Sequence, residues 1–260
     1  MNLKEELSKQ LNLSKHIISS IQIVGEIALL RFSYPISDTT KVKIAKALKT
    51  LLPKIKTVCE IKKIEGVLRE PVINVLLGNE TETVHKEYGI LYALDVRKVM
   101  FSKGNVHERH RIARIVRKDE TVVDMFAGIG YFSLPIAKKV KKVYAIEKNP
   151  TAFKYLLKNL KLNNITNLVA ILGDCRNVSL ESVADRVIMG YLFNIENFIP
   201  HALKYLKEKG VLHVHTINEF DRSVIIKNGY KIVKMTVHKV KSYAPKKLHV
   251  VFDVVVKRCN

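Results

Sequence analysis

Short β-branched apolar runs alternate with helically spaced ones through the second half of the chain, the pattern of a parallel α/β sheet. Val122 to Phe126 reads as a strand, Ala127 to Gly130 as a tight turn and Tyr131 to Lys138 as a helix. Val143 to Ile146 is the next strand, and Pro150 suits the first turn of a helix reaching about Asn163. Val169 to Gly173 and Ala184 to Gly190 supply strands three and four, and Val211 to Thr216 supplies strand five. Helices are expected over Asn197 to Lys207 and Glu219 to Asn228. Two long strands, Tyr230 to about Val240 and Leu248 to Lys257, finish the sheet as an antiparallel hairpin that breaks around Pro245.

The first 95 or so residues read as a separate small α/β unit. Its expected elements are a helix from Leu3 to about Leu11, strands at Ile21 to Val24 and Ile27 to Phe32, and a helix from Thr39 to Leu52. Strands follow near Val58 to Lys62 and Asn74 to Leu77, then a hairpin from Thr83 to Asp95 turning at Tyr88-Gly89. No repeat or Pro-rich linker separates the parts, so the expected domains are 1–95 and 96–260, packed together.

Candidate chemistry begins at Asp124-Met-Phe-Ala-Gly-Ile-Gly130, because Glu147 ends the next strand seventeen residues later. Both lie where parallel sheets bind ligands, at the carboxyl ends of strands. Glu147 can accept hydrogen bonds from both hydroxyls of a ribose. A dinucleotide fingerprint needs a third glycine, and that position is Ser133. Asp124 would repel a pyrophosphate but can accept from the ammonium of an amino-acid tail. D-x-F-A-G-x-G, with Asp124, Phe126, Gly128 and Gly130, resembles motif I of class I S-adenosylmethionine-dependent transferases, a Rossmann-like fold. That resemblance makes Glu147 the ribose acid and Asp174-Cys175 the adenine site, through a carboxylate and a backbone amide.

Charge narrows the partner. Lys plus Arg number 45 against 24 acids, a net charge of +21 that attracts polyanions, and nucleic acid is the natural one. Lys138-Lys139, Lys141-Lys142, Lys239, Lys241 and Lys246-Lys247 are candidate phosphate contacts, each also readable as a solvated helix end or loop. With no Trp and 7% aromatics, a structured RNA gripped by its backbone is expected before one held by its bases. Cys59, Cys175 and Cys259 are too few and scattered for a disulfide framework or zinc site. No apolar run approaches the ~18 residues of a membrane span, and the N-terminus lacks a signal peptide's apolar core, so a cytoplasmic protein is expected; a monomer is expected as well.

Between the parts, Phe101-Ser-Lys-Gly-Asn-Val-His-Glu-Arg-His-Arg-Ile112 reads as a helix from about Asn105 leading into strand one. Arg109 offers a planar fork and Ser102 a hydroxyl, both suited to the carboxylate of a methionine tail; Arg109 could equally pair with Glu108 or meet RNA phosphate. His107 and His110 find no third ligand, so no metal is expected. His213 and His215 alternate on one strand as packing or pocket-lining residues.

F-S-x-G-N-x-x-E-R-x-R-I, then D-M-F-A-G-I-G, I-E-K-N-P (146–150) and G-D-C-R (173–176), resemble the archaeal and eukaryotic tRNA guanine-37 N1-methyltransferase superfamily over about residues 75–257. That superfamily holds two activities: methyl transfer to guanine N1, and transfer of the 3-amino-3-carboxypropyl group to a tricyclic wyosine precursor of tRNA-Phe. Its methyltransferases carry an Asn-Leu-Pro type of motif after strand four. Met189-Gly190-Tyr191 instead resembles the aminocarboxypropyltransferase branch, which implies that activity, with guanine-37 methylation as the alternative. Tyr191 is the candidate that shapes the base pocket.

Overall fold

The computed structural model describes residues 3–66 and 68–259. The chain divides into two units, Met1–Lys103 and Gly104–Asn260.

In the first unit, α1 (Leu3–Leu11), β1 (Ile18–Val24), β2 (Ile27–Phe32), α2 (Asp38–Leu51), β3 (Thr57–Glu65) and β4 (Glu70–Leu77) follow in order. The four strands form a sheet ordered β1-β2-β3-β4. Only the β2–β3 pair is parallel, as it must be when a helix makes the crossover. Ser37 caps α2, its Oγ accepting from the Thr40 N–H at 3.2 Å. Ile44, Ala45 and Leu48 of that helix pack with Leu7, Ala28, Leu30 and Val58. β5 (Glu82–Glu87) and β6 (Ile90–Asp95) make a separate hairpin. Its turn residues Tyr88 and Gly89 both have positive φ, +46° and +81°, the pair of values that a two-residue hairpin loop requires. The Gly25 N–H donates to His85 Nδ1 at 3.2 Å and the Glu26 N–H to Thr83 Oγ1 at 3.1 Å, which fastens this hairpin to the β1–β2 turn.

The second unit opens with α3 (Val106–Ile115), β7 (Thr121–Asp124), α4 (Ser133–Ala137), β8 (Lys142–Glu147), α5 (Pro150–Leu162) and β9 (Leu168–Leu172). It continues with β10 (Ala184–Met189), α6 (Ile199–Tyr205), β11 (Leu206–Ile217), α7 (Ser223–Lys227), β12 (Tyr230–Ala244) and β13 (Lys247–Arg258). The seven strands are ordered β12-β13-β11-β10-β7-β8-β9. β13 enters antiparallel between β11 and β12, and the strands from β11 to β9 are parallel. Successive residues of each strand serve opposite faces. Val122 and Ile188 join a core with Ile112, Phe132, Ile136 and Leu156, while Val123, Val187 and Met189 join one with Ile199, Leu203, Leu212 and Val254.

Several boundaries differ from the sequence expectation. α4 is shorter than Tyr131 to Lys138, because the turn through Gly130 at φ +99° consumes the residues before Ser133. α6 stops at Tyr205 instead of Lys207, and β11 begins at once, its register against β10 slipping between Ala184 and Arg186. α7 covers only Ser223–Lys227, since Asp221 takes the Ser223 N–H and Oγ and so sets the start. The chain runs from β7 outward to β8 and β9, then returns to β10 on the other side of β7. The order of strands therefore reverses between β7 and β10, and the turns that follow both strands flank that crevice.

Candidate active site

The turn after β7 is built for close approach. Gly128 has φ +57°, and a Cβ there would lie 2.4 Å from the Tyr131 ring. Gly130 has φ +99°, and its Cβ would meet Leu134 at 2.5 Å. Only glycine fits both positions. From the facing helix, Asn159 Nδ2 donates to the Ile129 carbonyl at 3.0 Å and pins the turn, a contact with no signal in the sequence.

Glu147, partly exposed at the end of β8, receives the Gly128 N–H on Oε2 at 2.6 Å and the Asn149 N–H on Oε1 at 2.7 Å. Burial raises its pKa and those backbone donors oppose the rise. A carboxylate so held keeps lone pairs for two further hydroxyls, and the fit to a ribose is good.

Asp124 ends β7. It has no exposed surface; Oδ2 accepts from Ser133 Oγ at 2.6 Å and Oδ1 from the Phe126 N–H at 3.2 Å. Burial pushes its carboxyl up to about 6 despite both donors. Each of its oxygens accepts one hydrogen bond from within the turn segment, so the carboxylate shapes the turn from beneath.

α3 delivers Arg109 to this turn. The residue is 2% exposed, with Cζ 5.9 Å above the centroid of the Tyr131 ring that covers Gly128. The expected alternative partner, Glu108, belongs instead to Arg111, whose Nε and Nη2 grip it at 2.8 and 2.7 Å. Arg111 also donates to Asp253 of β13 at 2.6 and 3.0 Å. Asp253 in turn meets His213 Nδ1 at 2.6 Å, and His213 Nε2 lies 2.6 Å from Arg186. His213 is thus a buried polar link of the sheet, and His215 is buried against Phe132. Ser102 is half-buried and belongs to the first unit, whereas the other candidates all lie in the second.

Beyond β9, Asp174 accepts from the Arg176 N–H and from Arg176 Nε and Nη2 at 3.0, 2.9 and 2.6 Å, and from Lys148 Nζ at 3.0 Å. These cations hold its carboxyl below the usual range against a smaller effect of burial. An adenine amine must share that carboxylate with them. The Cys175 thiol is 4% exposed and pushed up to about 12 by burial, which leaves it inert; its carbonyl accepts from the Tyr205 hydroxyl.

The few aromatic side chains gather at one place, which overall composition did not make obvious. Tyr191, just past β10, stacks on Phe126 at 5.2 Å with 22° between planes. Phe198 meets both edge-on, at 5.0 and 6.0 Å, and Arg176 lies 5.2 Å over Phe198. Gly190 admits Phe132, which a Cβ would meet at 3.2 Å. A half-buried aromatic wall therefore stands at the end of β10. Low overall aromatic content hid it, since a few rings gathered at one place suffice.

Comparison with known proteins agrees with this geometry. Residues 83–245 match the model of the TRM5/TYW2 methyltransferase domain, and residues 2–81 that of the TYW2 N-terminal domain. The tRNA(Phe) (4-demethylwyosine(37)-C(7)) aminocarboxypropyltransferase of Methanocaldococcus jannaschii is 50% identical over 208 residues, covering 75% of this chain and 84% of its own. Its namesake from Pyrococcus horikoshii is 40% identical over 266 aligned positions, 97% of this chain and 95% of its own. The crystal structure of P. horikoshii TYW2 in complex with MeSAdo superposes with a TM-score of 0.82 at 37% identity, covering 98% of this chain and 99% of that one. The glycine turn, the acid that ends β8 and the aromatic end of β10 thus sit in a scaffold shared along nearly the whole length, and the chain belongs to the TRM5/TYW2 family.

Proposed function

We propose that the protein transfers the 3-amino-3-carboxypropyl group of S-adenosylmethionine to a ring carbon of the tricyclic wyosine precursor at position 37 of tRNA-Phe, releasing methylthioadenosine. The observation that carries this reading is the end of β10, where Gly190-Tyr191 lays a ring on Phe126 and offers no asparagine or proline to position a guanine nitrogen. The two relatives bearing that activity align with both units.

The donor set suits S-adenosylmethionine. Glu147 takes the ribose, the Cys175 backbone and the Asp174 carboxylate take the adenine, and Phe126, Gly128 and Gly130 let the backbone close on it. Asp124 shapes the turn from beneath. Arg109 holds the methionine carboxylate. When bound, the sulfonium supplies three electrophilic carbons and a neutral thioether leaving group. Which carbon reacts depends on which lies in line with the nucleophile, and fixing that line is worth several kcal/mol. Arg109 sets it by turning the methionine side chain toward the base. Tyr191 sets it from the other side by holding the tricycle flat. The nucleophile is an electron-rich ring carbon, so orientation and exclusion of water suffice without a strong protein base.

The first unit contributes tRNA contacts, with Lys43, Lys46 and Lys49 exposed along α2. The protein acts as a metal-independent monomer in the cytoplasm, where reduced thiols persist: Cys59 and Cys175 are buried, and burial pushes Cys59 up to about 11.

Incubation with S-adenosylmethionine and precursor-bearing tRNA-Phe, followed by chromatography of the small-molecule product, tests the reading. Methylthioadenosine is expected; S-adenosylhomocysteine would establish guanine-37 methylation, the alternative, in its place. A second expectation concerns Arg109→Ala. Losing a charge-assisted contact of about 1.5–3 kcal/mol weakens cofactor binding by roughly tenfold or more, and product shifts toward S-adenosylhomocysteine or none. Calorimetry and the same chromatogram check this, and unchanged affinity with unchanged product removes Arg109 from the site.

A further inference from the structure

A chain of ring contacts leads from the glycine turn to the tip of the last hairpin. Phe126 stacks on Tyr191, Tyr191 meets Phe193 edge-on at 5.7 Å, and Phe193 meets Tyr243 edge-on at 6.1 Å. The last two rings are 37% and 40% exposed. Tyr243 lies near the end of β12 with Lys239 and Lys241 before it and Lys246 and Lys247 after it; all but the half-buried Lys241 are exposed. No acidic residue occurs between Asp221 and Asp253, a stretch that carries seven lysines. Open aromatic faces interleaved with cations and free of carboxylates are the chemistry of a single-stranded nucleic acid site.

We propose that Phe193 and Tyr243 form a stacking track for the unpaired nucleotides that adjoin the modified base, with Lys239, Lys241, Lys246 and Lys247 on their phosphates. The inference rests on the reading of the protein as a tRNA position-37 transferase and adds to it a second binding site, distinct from the base pocket. A base that reaches Tyr191 leaves the stack of its loop, and its neighbours lose a partner. Phe193 and Tyr243 supply replacement faces along the exit from that pocket, so the open loop is bound in the form that the reaction needs. Backbone contacts alone would not distinguish an opened loop from a stacked one.

The test uses the full chain and a tRNA-Phe transcript with 2-aminopurine beside position 37, without cofactor. Phe193→Ala and Tyr243→Leu should each weaken binding about tenfold and relieve the quenching of 2-aminopurine that the native protein produces, at unchanged Tm. Tyr243→Phe, which keeps the ring, should bind and quench as the native protein does. With precursor tRNA, the two weakened variants should raise KM and leave kcat within about twofold. Joint replacement of Lys246 and Lys247 by alanine should lower the slope of log affinity against log salt by about 1.4. Tyr243→Leu with native affinity and native quenching, or a salt slope unaltered by the lysine pair, would overturn the track. The identity of the native enzyme's small-molecule product judges the transferase reading separately: S-adenosylhomocysteine would sink that reading and leave the binding result legible.

Discussion

Replacing Asp253 with alanine is expected to destabilise the protein by about 3 kcal/mol, the low end of the cost of stripping one partner from a buried charge cluster, because Asp253 and Arg111 are partly exposed. Asp253 accepts from both terminal nitrogens of Arg111 and lies 2.6 Å from His213 Nδ1, with His238 Nε2 at 3.1 Å. Its removal leaves Arg111 only Glu108 and leaves His213 facing Arg186 alone. Burial alone would raise the Asp253 carboxyl, but the donors His213 and Arg111 outweigh it and hold the group below the usual carboxylate range. A depressed carboxyl stabilises fully above its unfolded pKa of about 3.9 and loses that contribution only as pH falls through the folded value. The whole effect is therefore present at neutral pH. Urea unfolding of Asp253→Ala checks it, and a loss below about 1 kcal/mol would contradict the cluster's role.

Acidification from pH 7 to pH 5 is expected to remove about 2 kcal/mol or more through a second buried pair. His215 Nδ1 and His249 Nε2 lie 3.1 Å apart, each residue 1% exposed. Their outer nitrogens, His215 Nε2 and His249 Nδ1, have no hydrogen-bond partner among the described residues. Two neutral rings satisfy the shared contact, one donating and one accepting. A proton on one ring places a charge whose outer N–H has no partner among the described residues, and protons on both set donor against donor. Burial, with Lys241 nearby, pushes His249 down to about 4. Burial likewise lowers His215 well below its ordinary value, with His249, His213 and Arg111 adding to the effect and Asp253 opposing it. The unfolded chain takes up these protons near pH 6.5 and the folded one does not, so stability falls as pH drops from there toward 4. Denaturant midpoints at a series of pH values measure the slope, and a flat profile between pH 7 and 5 would refute it. This loss precedes that from Asp253, which comes only at much lower pH.

The parts of the fold that announce themselves in the sequence are those set by local rules. β2 spans Ile27–Phe32 as its apolar run dictates, Pro150 opens α5, and Tyr88-Gly89 turns the first unit's hairpin. The glycine turn and Glu147 were legible because spacing alone links a turn to the next strand end. Non-local contacts were not. Nothing in sequence tells that Ser133, nine residues beyond Asp124, occupies its carboxylate, or that Glu108 serves Arg111 and not Arg109. Asn159, Phe193 and Tyr243 act through neighbours 30 to 50 residues away, where periodicity carries no information.

The place of β13 between β11 and β12 orders events during synthesis. A growing chain emits β12 before its sole partner exists, and that strand waits unpaired with Lys231, Lys234 and Lys239 as its protection against sticking to other chains. Only when β13 inserts does Asp253 reach Arg111, 142 residues behind it. Helix α3 is packed through Ile112 into the core of β7, α4 and α5 without it, so a fragment ending before residue 253 holds the glycine turn but leaves Arg111 to Glu108 alone.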